Sequence, residues 1–150
     1  MSYATTSEAI YVTLRDDDTL KTYLGVGDGD APRVYREYPP EEPEVSAAKP
    51  VYLVFSCESS VTIEGSGFGD DELWQIRVIA NNPDDRDDIE EHIKQLLIDT
   101  FTLTENTDFS TRIHLGGGKP SSGPRSEFKR EGQDLYSVNI RFNIESLKVS

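Results

Sequence analysis

Basic residues are scarce in this chain: 15 lysines and arginines stand against 28 aspartates and glutamates, leaving a formal net charge of −13. A body this acidic lacks the cationic groups that displace counterions from nucleic acid. That argues against gripping DNA or RNA, while leaving DNA free to pass close by. Cysteine is almost absent too. Cys57 stands alone, so no internal disulfide can form, and synthesis in a reducing cytoplasm is expected. No stretch approaches the roughly 20 apolar residues of a membrane span. The opening "MSYATTSEAIYVTLRD" has no basic start followed by an apolar run, so neither a secretory signal nor a membrane partner is expected.

Catalytic vocabulary is equally thin. Only His92 and His114 could serve as neutral-pH bases or imidazole ligands, and no motif places a nucleophile beside either, so both read as structural. No histidine pair at helical spacing and no CxxC suggests zinc. The acidic runs "DDDTL" and "DGDAP" lack the alternating oxygen ligands and closing glutamate of a calcium loop. "DDRDDIEE" reads as a solvated helix start, where the dipole favours acids. "GGGKPSS" imitates a phosphate loop and fails, because Pro120 follows the lysine and Ile113 occupies the earlier glycine position. No metal, no cofactor and no enzymatic activity are expected.

What is present is organised. At 150 residues the chain fits one domain. "TTSEAIYVTLRDDDTLKTYLG" offers a capping box at Thr5 and Glu8, a helix carrying Ile10 and Leu14, a second short helix capped by Asp18, and a stop at Gly25. "VYLVFSCE" is apolar on both faces, with Val51, Leu53, Phe55 and Cys57 on one of them, as in a strand covered on two sides. "LWQIRVIAN" alternates through Trp74, Ile76, Val78 and Ala80. The clearest helix runs from Pro83 to Phe101: Asn82 can cap, Pro83 suits the first position, and Ile89, Ile93, Leu96, Leu97 and Phe101 form one apolar stripe. "FSTRIHL" is a further strand. "LYSVNIRFNIE" closes the chain with alternation through Tyr136, Val138, Ile140, Phe142 and Ile144. The expected fold is α+β: an antiparallel sheet of about four strands with two helices on one face, a two-layer sandwich with long loops.

Three segments fall outside that scheme. Residues 35–50 carry Pro39, Pro40, Pro43 and Pro50 among Glu37, Glu41, Glu42 and Glu44, and read as an extended solvated arm. Residues 59–72 hold glycines around Phe68, and residues 116–134 hold "GGGKPSSGPRSEFKREGQ"; both read as mobile loops. Charge is divided unevenly as well, with 22 acids and 8 bases in residues 1–100 against 6 acids and 7 bases in residues 101–150. Such asymmetry favours contact between copies, the basic 112–130 region meeting an acidic neighbour.

With its elements in this order, the chain resembles the tail-terminator (tail-completion) proteins of long-tailed phages. The resemblance rests on "SEAIYVTLRDDDTLKTYLG", on "RVYREYPPEEPEVSAAKPVYLVFS", on "LWQIRVIANNPDDRDDIEEHIKQLL" and on "DLYSVNIRFNIE". It covers most of the chain except residues 59–72 and 116–134. It implies a structural protein of the virion neck, made in the host cytoplasm. Copies, typically six in that family, form a ring that caps the tail tube and joins it to the head connector or stopper, with DNA passing through and not specifically bound. The arm and loops would then contact neighbours, through Tyr35, Tyr38, Phe68, Lys119, Arg125, Lys129 and Arg130, and the acidic surface would partly face the channel. Two other readings remain: another neck or tube-end subunit, and a non-phage adaptor or binding module.

Overall fold

The computed structural model describes residues 5–27, 29–37, 41–63, 69–102 and 111–148. Helix α1 (Thr6–Asp16) starts where the Thr5 hydroxyl accepts the Glu8 amide at 3.1 Å. Asp17, rather than the expected Asp18, caps α2 (Asp18–Leu24), its carboxylate accepting the Leu20 amide at 3.0 Å. Gly25 ends α2 in the left-handed region at φ 71°. A side chain there would also collide with the Ala48 carbonyl oxygen, which lies 2.1 Å from where a Cβ would sit. Helix α3 (Pro83–Phe101) has the bounds the sequence predicts, with the Asn82 side chain accepting the Asp85 amide at 2.8 Å.

The strands are β1 (Val34–Arg36), β2 (Val51–Ile63), β3 (Gly69–Ala80), β4 (Thr111–Arg130) and β5 (Gln133–Lys148). They form one curled sheet in the order β1-β2-β3-β5-β4. Register breaks between Gly116 and Ser121 and between Ser122 and Arg125 interrupt the pairing of β4 with β5. The α+β class holds, but three helices and a mixed sheet replace two helices on a simple four-strand antiparallel sandwich. The added strand is β1, which runs parallel to β2 with Val34 opposite Leu53.

Sequence periodicity places most of the main core, though Tyr136, expected on the core face of the closing strand, is not among its buried residues. Ala9, Ile10 and Leu14 of α1, Leu20 and Leu24 of α2, and Ile89, Ile93, Leu97 and Phe101 of α3 pack on one sheet face. That face presents Val51, Leu53, Phe55, Trp74, Ile76, Val78, Val138, Ile140, Phe142 and Ile144. Cys57 alternates onto the same face yet is exposed, with its Sγ 3.3 Å from the Ser59 carbonyl oxygen and 3.9 Å from the Glu72 carboxylate. The expected small apolar role for this thiol is therefore corrected.

The stretch 116–134 is a strand pair rather than a loop. Glycines and prolines suggested a tip, but β4 is an edge strand, where a proline's missing amide can face away from the ladder and bulges absorb the glycines. The real turn is Glu131-Gly132, with φ of 53° and 79°, the two positive values a tight type I′ hairpin needs. Likewise β2 and β3 extend to Ile63 and from Gly69, so most of 59–72 is strand; residues 64–68, including Phe68, lie outside the described residues.

Candidate interaction surface

Parallel neighbours such as β1 and β2 need a crossover of roughly a dozen residues or more, usually a helix. Here the proline-bearing arm is that crossover. It passes over the face opposite the helices, where Tyr52, Val54, Ile79 and Leu135 form a second, smaller apolar cluster. Val45 is the arm's plug into this cluster and is only 5 % exposed.

Side chains hold the arm by its backbone. Arg130 Nη2 donates to the Pro43 carbonyl at 2.6 Å, Arg33 Nη2 to the Glu44 carbonyl at 2.5 Å, and Gln133 Nε2 to the Val45 carbonyl at 2.8 Å. Arg33 also reaches the Val51 carbonyl at 3.0 Å and that of Lys49 at 3.4 Å. Both guanidiniums lie near the Tyr52 ring, at 6.0 Å for Arg33 and 5.9 Å for Arg130, and Tyr35 packs edge-on to it at 6.2 Å. Burial pushes the Tyr52 hydroxyl upward in pKa, opposed by its hydrogen bond from Arg130. Burial also lowers Arg33.

A second polar centre joins α3 to the β4 edge. Glu90, 1 % exposed, accepts from Arg125 Nη2 at 2.5 Å, and Arg125 also lies 3.6 Å from Asp87. Burial opposes ionisation of Glu90, but hydrogen bonds from Ser122 and Arg125 and the charges of Arg125 and Lys94 together hold it below the usual carboxylate range. The paired carboxylate therefore adds stability above its unfolded value of 4.5, and that contribution is lost as pH falls through the lower folded value. Glu90→Gln should flatten this acid-side loss. Thermal melts of parent and variant between neutral pH and about pH 3 check it; parallel curves would show that Glu90 does not supply it.

The expected contact residues therefore divide. Tyr35 and Arg130 lie at the arm groove, and Arg130 is largely covered at 16 % side-chain exposure. Arg125 is half exposed and already paired within the chain. Lys119 is exposed, and Lys129 is 77 % exposed with Asp134 at 3.9 Å. Tyr38, like Phe68, lies outside the described residues. The sequence reading missed Arg33, Gln133 and Glu90. Arg33 had one available signal, an arginine beside an apolar strand entry and next to a proline-rich crossover.

Each histidine meets a carboxylate: His92 Nε2 lies 2.7 Å from Asp17, tying α3 to the start of α2, and His114 Nε2 lies 2.9 Å from Glu145. Among the described residues no group of three or more histidine, cysteine or acidic side chains could hold a metal ion, and no helix is long and apolar enough to cross a membrane.

No protein-family model matches the chain, and no curated protein sequence does either. Among solved structures it is similar to a chain described as "Virion of native gene transfer agent (GTA) particle". The match has 18% sequence identity and a TM-score of 0.53, and covers 97% of this chain and 99% of that one. At this identity the likeness shows a shared fold, carried from end to end.

Proposed function

We propose that this chain is a structural, non-enzymatic subunit of a phage-like virion. In this reading it forms a ring at the end of the tail tube, joins the tail to the head connector, and lets DNA pass through. The observation that carries the reading is the end-to-end correspondence with a chain from a gene transfer agent virion, which leaves almost nothing over in either molecule. The sequence resemblance to tail terminators supplies the finer position, and the absence of tight DNA-binding chemistry suits a channel through which DNA slides.

Exposed Lys119 and Lys129 are the contact bases most available to an acidic neighbour; Tyr38 and Phe68 keep their proposed contact roles. Another neck or tube-end subunit is the second reading, and the same virion likeness supports it equally. Purified chain mixed with tail tubes should bind tube ends and appear there as rings in negative-stain images. A chain that neither binds tubes nor forms rings would sink the tail-terminator reading; binding elsewhere in the neck would favour the second.

A further inference from the structure

The arm groove has the construction of a peptide-binding site. Three consecutive carbonyls, those of Pro43, Glu44 and Val45, are each taken by a side-chain donor from a different part of the fold: Arg130, Arg33 and Gln133. One aliphatic side chain enters the pocket formed by Tyr52, Val54, Ile79 and Leu135. This is how extended proline-bearing ligands are recognised, by donors to the carbonyls and an aromatic-lined slot for a side chain. Charge agrees: the groove supplies Arg33 and Arg130, and the segment carries Glu41, Glu42 and Glu44, with Glu42 lying 3.4 Å from Arg130.

The hold is narrow. Only Val45 of residues 41–46 belongs to the buried apolar cluster, and none of these six residues lies in a helix or strand. Glu37, where the arm leaves β1, has a left-handed backbone at φ 61°, a conformation that favours glycine and costs a glutamate energy. Local release of such a segment requires far less than global unfolding.

We propose that residues 41–46 are a detachable ligand of this groove and that, in an assembly, the same segment of a second copy occupies it. The second copy as occupant rests on the ring reading; the groove as a peptide site does not. Contacts made within one chain would then be remade between chains, with the same three donors and the same pocket.

The test uses a full-length chain in which residues 41–46 are replaced by glycine and serine, with folding checked by circular dichroism. A fluorescent peptide, EEPEVSAA, corresponding to residues 41–48, is titrated against it. Saturable binding is expected, weakened on the order of tenfold by Arg130→Ala or Gln133→Ala in the chain. Equal binding of a peptide carrying aspartate in place of Val45 would reduce the groove to a charged surface and overturn the proposal. If the altered chain does not fold, the unlabelled peptide is titrated against the intact isotope-labelled chain, with NMR shifts of the chain's own Val45 reporting displacement of the tethered arm. Absence of binding in both formats overturns the groove, whatever the state of the ring. A chain that takes the peptide but never self-assembles keeps the groove and overturns the second copy as its occupant.

Discussion

Arg33→Ala should lower the free energy of unfolding by about 3 kcal/mol. Arg33 is 6 % exposed, and its guanidinium meets three carbonyls, of Glu44, Val51 and Lys49. Hydrogen bonds from a charged donor contribute about 1.5–3 kcal/mol each, so three would suggest a larger loss. Burial of the charge offsets much of it, consistent with the lowered pKa of Arg33. Arg33→Lys should recover only part of the difference, because one ammonium cannot span acceptors on both sides of the crossover. Urea unfolding at neutral pH measures both, read from the midpoint at unchanged slope. A variant within about 0.5 kcal/mol of the parent would mean that the arm is not secured by Arg33.

Phe55→Ala should cost still more, about 3–5 kcal/mol. Its ring is 1 % exposed, with Tyr11 at 6.3 Å from α1 and Trp74 at 6.1 Å from β3. Truncation would empty the centre of the main core, between a helix and a strand that are both held elsewhere and cannot collapse inward. For a domain of this size the expected fall in melting temperature is roughly 10 °C. Phe128, only half buried on the arm side, should give a distinctly smaller loss as alanine. Equal losses at the two positions would contradict the view that the helix-covered face carries most of the stability.

How much of this was legible in the sequence differs from element to element. Helix α3 was readable in full, because Asn82, Pro83 and the stripe from Ile89 to Phe101 act within a few residues of one another. The closing strand was readable because Val138, Ile140, Phe142 and Ile144 alternate against one covered face. β4 was not: Gly116, Pro120, Gly123 and Pro124 signal a loop locally, and only its edge position beside β5 makes them compatible with a strand. Cys57 misled for the converse reason, since alternation records a face but not the degree of burial on it, and the β2–β3 register shifts immediately after this residue. At the candidate surface, Tyr35 and Arg130 were found for their chemistry, yet both serve first within the chain.

By itself, then, the sequence determined the helices, the caps at Thr5 and Asn82, the face each central strand buries and the acidic character of the body. These depend on neighbours along the chain or on composition. The tertiary structure alone decided that β1 lies parallel to β2, that the proline-rich segment becomes their crossover, and that Arg33, Arg130 and Gln133 converge on it. Those donors stand up to 100 positions apart, from Arg33 to Gln133, and no local periodicity encodes which distant carbonyl a side chain will meet.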